Sequence, residues 1–448
     1  MEYTLKIPLL VNQETHQILD GQSKILNWLY NHLLNAANEL KKDYVATQNE
    51  EIVKTLYTKR GLRNLIPKLK QEEEKYFLKS VHSSPLKNTA LRLSRVIQDY
   101  QKSRKGKRSG KKVGWPQFRS IKRGFFSLYY DEPNKGFKIK ERELKLSLGQ
   151  NIEGKRLFVK VFLEKSLNEF KNIEIRNLRI VREGDDYSAC ICVKKELPSK
   201  KEIKNVVSID PNHKNLGYGV GSDGSSFEIE NAYFLKNLEK RIDKVKSLRD
   251  RCKRRSKKVI LNNNKEIKVP SKRWDYLNRV LQNLYRLRRE QTKTYLYTVA
   301  NRLYRDFDLV AIGDYTPHGG GISRKMRRVM NNHSLIGRFK DVLDWVSQRN
   351  GKHFEIWEES GTTRSCSNPS CNFVHKSSLD PQIREWDCPS CGVHHLRDEN
   401  SAINGLHKIK EKNMLRCLRH LDEININSRC IWKFTGLGIS SRLRGSVA

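Results

Sequence analysis

The sequence lacks the features that mark membrane, secreted and repeat proteins. It has no run of about 18 apolar residues, so we expect no membrane span. The first residues, MEYTLKIPLLVNQETHQ, contain no basic region followed by a long apolar stretch, so a secretory signal is not expected. There is no internal repeat. A bacterial cytoplasm is the default expectation for its location.

Acidic residues are scarce relative to basic ones. The 448 residues include 50 Asp and Glu against 88 Lys and Arg, a formal net charge of +38. A solvated basic surface rarely reaches this magnitude across a whole chain, so the charge favours a polyanionic partner such as nucleic acid. The length is sufficient for two to four domains.

Cysteines are few and unevenly placed. Four of the nine follow the pattern Cys366-x4-Cys371, sixteen residues, then Cys388-x2-Cys391, and the others are scattered. Two such pairs suit a closed, tetrahedral zinc site with a structural role, in a chain from a reducing compartment. The expected cofactor is one structural Zn²⁺. The nearby histidines are expected to be polar surface residues: His375, His394 and His395.

The first half combines strands and helices. Residues 3–10 alternate weakly like a strand, and helical spacing of apolar residues extends from Gly21 to about residue 103. SRKGKRSGKKVGWPQFRS (103–120) contains Gly, Pro and dense charge, and predicts a loop. Short strand patterns dominate residues 121–198. These patterns predict a small β-barrel with helices inserted after its first strand.

The second half predicts an α/β sheet. NVVSID (205–210), DLVAI (308–312) and HFEIW (353–357) are strand patterns, and residues 231–304 have the apolar stripes of two long helices. NNNKEIKVPSK (262–272) is expected to be the turn between those helices. The tail after about residue 412 has little periodicity, and we expect it to be poorly ordered.

Two acids stand at positions where strand and helix ends meet. Asp210 ends the strand VVSI, and Asp398 lies where a helix begins just after the cysteine pairs. Such acids can converge on Mg²⁺, and two ions about 4 Å apart support phosphodiester hydrolysis. Alone, an Asp at a helix start is most often a cap. Their placement around the cysteine pairs favours the metal site.

The combination of motifs resembles a known family. SIDPNHKNLGYG, the cysteine pairs ending in CPSC, and RDENSAINGL are similar to the split RuvC-like nuclease domain of the TnpB family, which is related to Fanzor proteins and type V CRISPR effectors. The resemblance covers roughly residues 1–410. It implies an RNA-guided, Mg²⁺-dependent DNA endonuclease, with a guide RNA from the transposon end and a double-stranded DNA target beside a short adjacent motif.

The resemblance also implies a fold class and domain boundaries. The class is an α/β RNase H-like (RuvC) nuclease domain with an inserted zinc ribbon, plus an N-terminal wedge β-barrel carrying a helical recognition insertion. The implied segments are a wedge barrel (1–20 and 120–204), a recognition insertion (21–119), a nuclease domain (205–361 and 393–412), a zinc ribbon (362–392) and a tail (413–448).

The sequence departs from the family at the second acid. The family's usual Glu follows the strand that reads LVAI here, where this chain has Gly313. Some relatives carry the acid just before the cysteine pairs, and Glu359 holds that position. Asp210, Glu359 and Asp398 would then bind two Mg²⁺ ions. The alternatives are Asp314, whose side chain points to the opposite face of an extended chain, and Glu358.

Basic and aromatic residues mark the expected nucleic-acid contacts. These candidates are Lys105, Lys107, Arg108, Lys111, Lys112, Trp115, Phe118, Arg119, Lys253, Arg254, Arg255, Arg324, Arg327 and Arg328. For the aromatic rings, an ordinary core role is equally compatible with the sequence.

Three functions remain open at this point. The first is the guided endonuclease. If Glu358 and Glu359 are only a solvated pair, the chain is instead a nuclease-dead, RNA-guided DNA-binding repressor. A guide-independent transposase is the third, and the long RNA-binding half argues against it. The sequence leaves open a monomer or a weak dimer, and a nuclear location if the chain is a Fanzor.

Overall fold

A computed structural model describes most of the chain in two compact units, Met1–Glu196 and Leu197–Ala448. The described residues are 1–110, 112–120, 125–170, 172–184, 186–254, 257–260, 266–315, 334–376, 379–380, 382–413, 424–436 and 438–444. No helix within these ranges is both long enough and apolar enough to cross a membrane. The finer domain boundaries stay predictions.

The first unit is an antiparallel sheet with helices between its first and second strands. Its elements are β1 (Glu2–Leu10), α1 (Gln13–Thr47), α2 (Glu50–Tyr57), α3 (Ile66–Leu69), α4 (Ser83–Arg104), β2 (Phe125–Tyr130), β3 (Phe137–Lys140), β4 (Glu143–Gln150), β5 (Arg156–Leu163), β6 (Glu174–Glu183) and β7 (Asp186–Lys194). Short 3-10 helices occupy Leu62–Leu65, Glu73–Ser80 and Leu167–Glu169. The strand order is β2-β6-β7-β1-β5-β4-β3. Closure into a barrel stays a prediction.

Local sequence explains the first helix. Asn12 caps α1, because its side-chain oxygen accepts a hydrogen bond from the backbone N–H of Thr15 at 2.8 Å. Leu19, Leu26 and Leu33 are buried along one face of the helix, as the apolar spacing predicts. The helix begins before Gly21, earlier than expected, because the cap at Asn12 outweighs the helix-weakening effect of one interior glycine.

The second unit is an α/β sheet with a hairpin of two long helices. Its elements are β8 (Val206–Asp210), β9 (Gly217–Gly221), β10 (Ser225–Ile229), α5 (Lys236–Arg254), β11 (Lys257–Ile260), β12 (Glu266–Val269), α6 (Lys272–Asp306), β13 (Leu309–Gly313), α7 (Ile336–Asn350), β14 (His353–Trp357), β15 (Glu385–Asp387), β16 (His394–Leu396), α8 (Arg397–Asn413), β17 (Ser428–Phe434) and β18 (Ile439–Leu443). A 3-10 turn covers Tyr233–Leu235. The main sheet has the order β14-β13-β8-β9-β10-β17-β18.

Both faces of this sheet are covered at its centre. β13 pairs in parallel with β8 and with β14, and every residue of β8 and β13 is buried. Alternate residues of these strands pack on α6 and α7 on one face and on α8 on the other. Because parallel strands align their carboxyl ends, the ends of β8, β13 and β14 lie side by side at one sheet edge.

Two segments differ from expectation. Residues 428–443, placed in the tail, form β17 and β18, and β17 pairs in parallel with β10. Trp432 stacks on Phe227 with ring centroids 3.9 Å apart, so the strand is held by a partner distant in sequence rather than by a local pattern. The expected turn 262–272 contains β12, which pairs with β11 as an antiparallel hairpin.

A half-buried ion pair fixes the entry to β13. The Asp308 carboxylate accepts hydrogen bonds from Lys352 Nζ at 2.7 Å and from the backbone N–H groups of Lys204 and Asn205 at 3.1 Å each. Burial alone would raise the pKa of Asp308, but these hydrogen bonds outweigh it and lower the pKa below its ordinary value. The carboxylate thus joins the starts of β8, β13 and β14 in its charged form.

Candidate active site

Asp210 lies at the carboxyl end of β8, in the middle of the sheet. Its side chain is buried, with 7% of the residue exposed, and Oδ1 accepts a hydrogen bond from Ser401 Oγ at 2.8 Å. Desolvation, followed by the carboxylates of Asp398 and Glu359, raises the pKa of Asp210 well above its ordinary value. A buried carboxylate next to two others needs a compensating positive charge.

Asp398 lies in the first turn of α8. Its carboxylate accepts hydrogen bonds from Asn212 Nδ2 at 3.3 Å and from Arg384 Nη1 at 3.4 Å. Both donors are side chains from other parts of the chain rather than backbone N–H groups of the helix. Asn212 follows β8 directly, so the contact also ties the helix start to the end of the strand that carries Asp210.

The third acid fills the space left by a glycine. A Cβ atom added to Gly313 would lie 2.1 Å from Glu359 Oε1, 2.5 Å from its Cγ and 2.7 Å from its Cδ. The Glu359 side chain, which starts two residues after β14, therefore occupies the volume that a side chain at position 313 would take. The carboxylate reaches the end of β13 from the neighbouring strand.

Asp314 holds the backbone of this third acid. Its side chain is exposed, and Oδ1 accepts a hydrogen bond from the backbone N–H of Glu359 at 3.1 Å. Its own N–H donates to the carbonyl oxygen of Trp357 at 2.8 Å, which extends the β13–β14 pairing by one step. Glu358 is exposed, and its carbonyl oxygen accepts from Lys408 Nζ at 2.7 Å.

The Glu359 carboxylate is largely buried, and the hydrogen bond that it accepts from the backbone of Tyr315 only partly compensates for this burial. Oε1 is buried and has no hydrogen-bond partner among the described residues. Desolvation and the nearby Asp314 carboxylate raise the pKa of Glu359 to about 7, while the Lys340 ammonium limits the rise. Hard divalent cations prefer such oxygen ligands, so the three acids fit Mg²⁺. Without a cation, mutual repulsion keeps carboxylates apart.

The acids and the cysteines are two separate groups of potential metal ligands. The ligand atoms of the four cysteines all lie within 4.8 Å of one another. The acids act on one another electrostatically, since Asp398 and Glu359, after desolvation, both raise the pKa of Asp210.

Sequence reasoning missed the residues that support the acids. Ser401, which holds Asp210, lies three residues after Asp398 and thus on the same face of α8, and this spacing was the available signal. Lys340 of α7 is partly desolvated, which lowers its pKa, while Glu359 and Asp314 act in the opposite direction. No local pattern marks Lys340, because the approach of α7 to β14 is a tertiary contact.

A second network anchors α8 from the other side. The buried Glu399 carboxylate accepts two hydrogen bonds from Arg429 at 3.0 Å each, one from Ser226 Oγ at 2.7 Å and one from Tyr218 OH at 3.0 Å. Burial disfavours the charged form of Glu399 and would raise its pKa. The hydrogen bonds from Arg429 and Ser226 outweigh this effect and lower the pKa of Glu399 below its ordinary value. The residue next to Asp398 is thereby tied to β17.

The four cysteines form a cluster with the dimensions of a zinc site. Cys366 Sγ lies 3.7 Å from Cys391 Sγ, and Cys371 Sγ lies 3.7 Å from Cys388 Sγ. Four sulfurs about 2.3 Å from a tetrahedral zinc ion are separated by about 3.8 Å. The cluster can therefore hold zinc, beside the two-stranded sheet β15–β16.

One nearby histidine is not a surface residue. His395 is buried, with 5% exposed, its Nε2 lies 3.1 Å from Cys366 Sγ, and its ring packs on Trp386 at 4.6 Å. The expectation of a polar surface position is wrong for this residue, because Trp386 and the cluster cover it. His394 is exposed and contacts Asp387, and His375 is half-buried against Trp386.

The expected nucleic-acid contacts divide into exposed and packed residues. Five of them are exposed: Lys105, Lys107, Arg108, Lys112 and Phe118. Trp115 is half-buried, donates a hydrogen bond to Asn38 Oδ1 at 2.7 Å and lies under Lys41, so its ring packs within the unit. The guanidinium of Arg119 lies 3.6 Å from the centre of the Tyr30 ring.

The other candidates lie at the end of α5 or outside the described residues. Lys253 and Arg254 are the last two residues of α5. The remaining candidates lie outside the described residues: Lys111, Arg255, Arg324, Arg327 and Arg328.

Comparisons with known proteins give the relationship. Residues 337–405, which include Glu359, the four cysteines and Asp398, match the Cas12f1-like TNB domain family. The fold is similar to that of Cas12f1 in a Cas12f1–sgRNA–target DNA complex, with a TM-score of 0.54 at 11% identity over 88% of this chain and 83% of that chain. Residues 337–405 are thus similar to the Cas12f1-like TNB domain family, and the fold is similar to that of a type V effector.

Other comparisons add less. A structure of the mini-RNA-guided endonuclease CRISPR-Cas_phi3 has a TM-score of 0.41 at 11% identity, over 91% of this chain and 92% of that chain. No curated protein matches the sequence. The fold likeness therefore rests on Cas12f1.

Proposed function

We propose that this TnpB-like chain is an RNA-guided DNA endonuclease in which Glu359 replaces the acid missing at Gly313. The observation that carries the proposal is the position of the Glu359 carboxylate, 2.1 Å from where a Cβ of residue 313 would lie. A glycine at this strand end leaves room for an acid from the next strand. Together with Asp210 and Asp398, the relocated Glu359 keeps the number of carboxylates at three.

The chain's own residues divide the work. Asp210, Glu359 and Asp398 would hold two Mg²⁺ ions, which supply activation of water and stabilisation of the leaving oxygen in phosphodiester hydrolysis. Ser401 fixes the orientation of Asp210, and Asp314 fixes the backbone of Glu359. The four cysteines hold one structural Zn²⁺ and have no role in hydrolysis, because no ligand position is left open.

Target choice would come mainly from base pairing. In guided nucleases the protein holds the heteroduplex through its shape and backbone and reads a short adjacent motif, while the guide reads the sequence. The net charge of +38 supports binding of a guide RNA and a double-stranded DNA target. The guide is expected to come from the transposon end, as the family resemblance implies.

Plasmid cleavage tests the assignment of the third acid. The protein is co-expressed with its native transposon-end RNA, purified and given Mg²⁺. Its substrate is a library of plasmids that carry a guide-matched target next to a randomised motif. Wild type cuts and Glu359→Ala does not. Asp314→Ala keeps measurable cutting, because it removes only the hydrogen bond to the Glu359 backbone.

The opposite pattern refutes the assignment. If Asp314→Ala abolishes cutting and Glu359→Ala retains it, Asp314 is the third acid. If wild type binds the guide-matched target without cutting it, the chain is a guided DNA-binding repressor.

A further inference from the structure

A basic pocket lies within the first unit, outside the site of the three acids. It has a volume of about 260 Å³ and is lined by residues of α1, α4, β2 and the segment before β2. Its polar lining includes Ser23, Asn27, Arg92, Arg119 and Ser127. The half-buried ring of Phe126 supplies an apolar wall. Hydroxyl and amide donors beside guanidinium groups form a surface suited to an anion.

Positive charge is concentrated at this pocket. Arg92 and Arg119 line it, and Arg179 of β6 is close enough to act electrostatically on Arg92. Partial desolvation, followed by the charges of Arg119 and Arg179, lowers the pKa of Arg92. The hydrogen bond that the structure gives for the Arg92 guanidinium goes to a neutral group, Ser127 Oγ, at 3.3 Å.

Two acidic side chains on the flanking elements are paired with other bases. Asp20 of α1 contacts Lys24 at 3.0 Å and Arg182 at 2.8 Å. Asp131, just after β2, contacts Lys87 at 2.6 Å. Among the described groups, the charges that act most on Arg92 are those of two other arginines. This positive charge favours an anion in the pocket.

One wall of the pocket is held rigidly. The backbone N–H of Arg119 donates to Asn31 Oδ1 at 2.8 Å, and its carbonyl oxygen accepts from Asn31 at 3.0 Å and Asn27 at 3.3 Å. The Arg119 guanidinium stacks on the Tyr30 ring, which is itself buried. Arg92, in contrast, is exposed to solvent and accessible to a ligand. Preorganisation of this kind lowers the entropic cost of binding.

We propose that Arg92 and Arg119 form a binding site for a backbone phosphate of a bound nucleic acid. The guanidinium fork matches phosphate oxygens, and the neutral donors Ser127 and Asn27 suit the remaining oxygens. The ring of Phe126 offers a surface for the adjoining sugar or base. The inference rests on the nucleic-acid binding of the proposed function and not on its cleavage step.

Salt-dependent binding measures this contact. The full chain is titrated with two fluorescent probes of mixed sequence and equal length, a single-stranded RNA and a double-stranded DNA, over a range of salt concentrations. The variant is Arg92→Gln. The control is Arg95→Gln, which removes an exposed charge three residues later on α4, outside the pocket lining.

The expected result is a loss specific to the pocket. Arg92→Gln weakens binding of at least one probe about tenfold more than Arg95→Gln does. It also reduces the slope of log K against log salt by about one unit, the value for one phosphate contact. Its thermal unfolding midpoint stays within a few degrees of that of wild type, because Arg92 is an exposed residue. A loss on RNA alone assigns the site to the guide, and a loss on DNA alone assigns it to the target.

Failure of the pocket proposal and failure of nucleic-acid binding give different results. If wild type binds both probes and Arg92→Gln matches Arg95→Gln in affinity and slope, the pocket does not bind phosphate. If wild type binds neither probe, the nucleic-acid binding of the proposed function is itself refuted, whatever the variants do.

Discussion

A methyl group at Gly313 tests whether the Glu359 carboxylate works where the structure has it. Gly313→Ala adds a Cβ 2.1 Å from Glu359 Oε1, so the carboxylate must move by about 1.3 Å to restore an ordinary 3.4 Å contact. A displacement of about 1 Å at a catalytic group can cost about 100-fold in rate. The clash is with the end of a flexible side chain, so we expect a stability cost of about 1 kcal/mol or less.

Activity and stability are then read separately. Guide-directed plasmid cleavage is expected to fall about 100-fold, while the thermal unfolding midpoint changes by only a few degrees. The control is Gly21→Ala in α1, where no atom lies within 4 Å of the added Cβ and a helix former replaces glycine. Cleavage by Gly313→Ala within twofold of wild type would refute the role of Glu359 at this position.

Three further predictions concern the surrounding structure. Asp308→Asn loses about 2 kcal/mol of unfolding free energy at pH 7, because it weakens the charged hydrogen bond to Lys352. The pKa of Asp308 is lowered in the folded state, so this stabilisation is fully present above the unfolded pKa of about 3.9. It is lost as the pH falls through the folded pKa. The urea unfolding curves of wild type and Asp308→Asn therefore converge below about pH 4. Glu399→Gln loses about 1–2 kcal/mol and slows cutting, because Arg429 loses its charged partner next to Asp398. Cys388→Ser is expected to lose the zinc ion, because it removes one of the four thiolates of the cluster. Native mass spectrometry counts the zinc ions bound to each chain.

Matched variants separate these effects from general ones. Asp306→Asn removes a partly exposed pair and is expected to cost under about 1 kcal/mol at every pH, so equal losses would contradict the role of Asp308. Glu411→Gln changes an exposed acid on the same helix as Glu399, and a similar loss of cutting there would contradict the anchor. Cys252→Ser keeps the zinc ion, whereas full zinc occupancy in Cys388→Ser would exclude Cys388 as a ligand.

Local patterns determined the strands that carry the acids and the spacing of the cysteines. Asp210 ends a β-branched run, and the strand patterns LVAI and HFEIW form adjacent parallel strands as expected. The cysteine pairs are close in sequence, so their spacing alone predicts a shared metal. These features depend on neighbouring residues, which a sequence displays directly.

Tertiary structure decided how the distant parts meet. That Glu359 fills the space above Gly313 depends on the pairing of β13 with β14, whose residues are 44 positions apart in register. The strand β17 forms because it pairs with β10 and because Arg429 contacts Glu399, not because its own sequence has a strand periodicity. The pocket of Arg92 and Arg119 joins residues from three separate segments, α1, α4 and residues 119–127. Contacts of this kind arise from long-range packing, and no local pattern in the sequence encodes them.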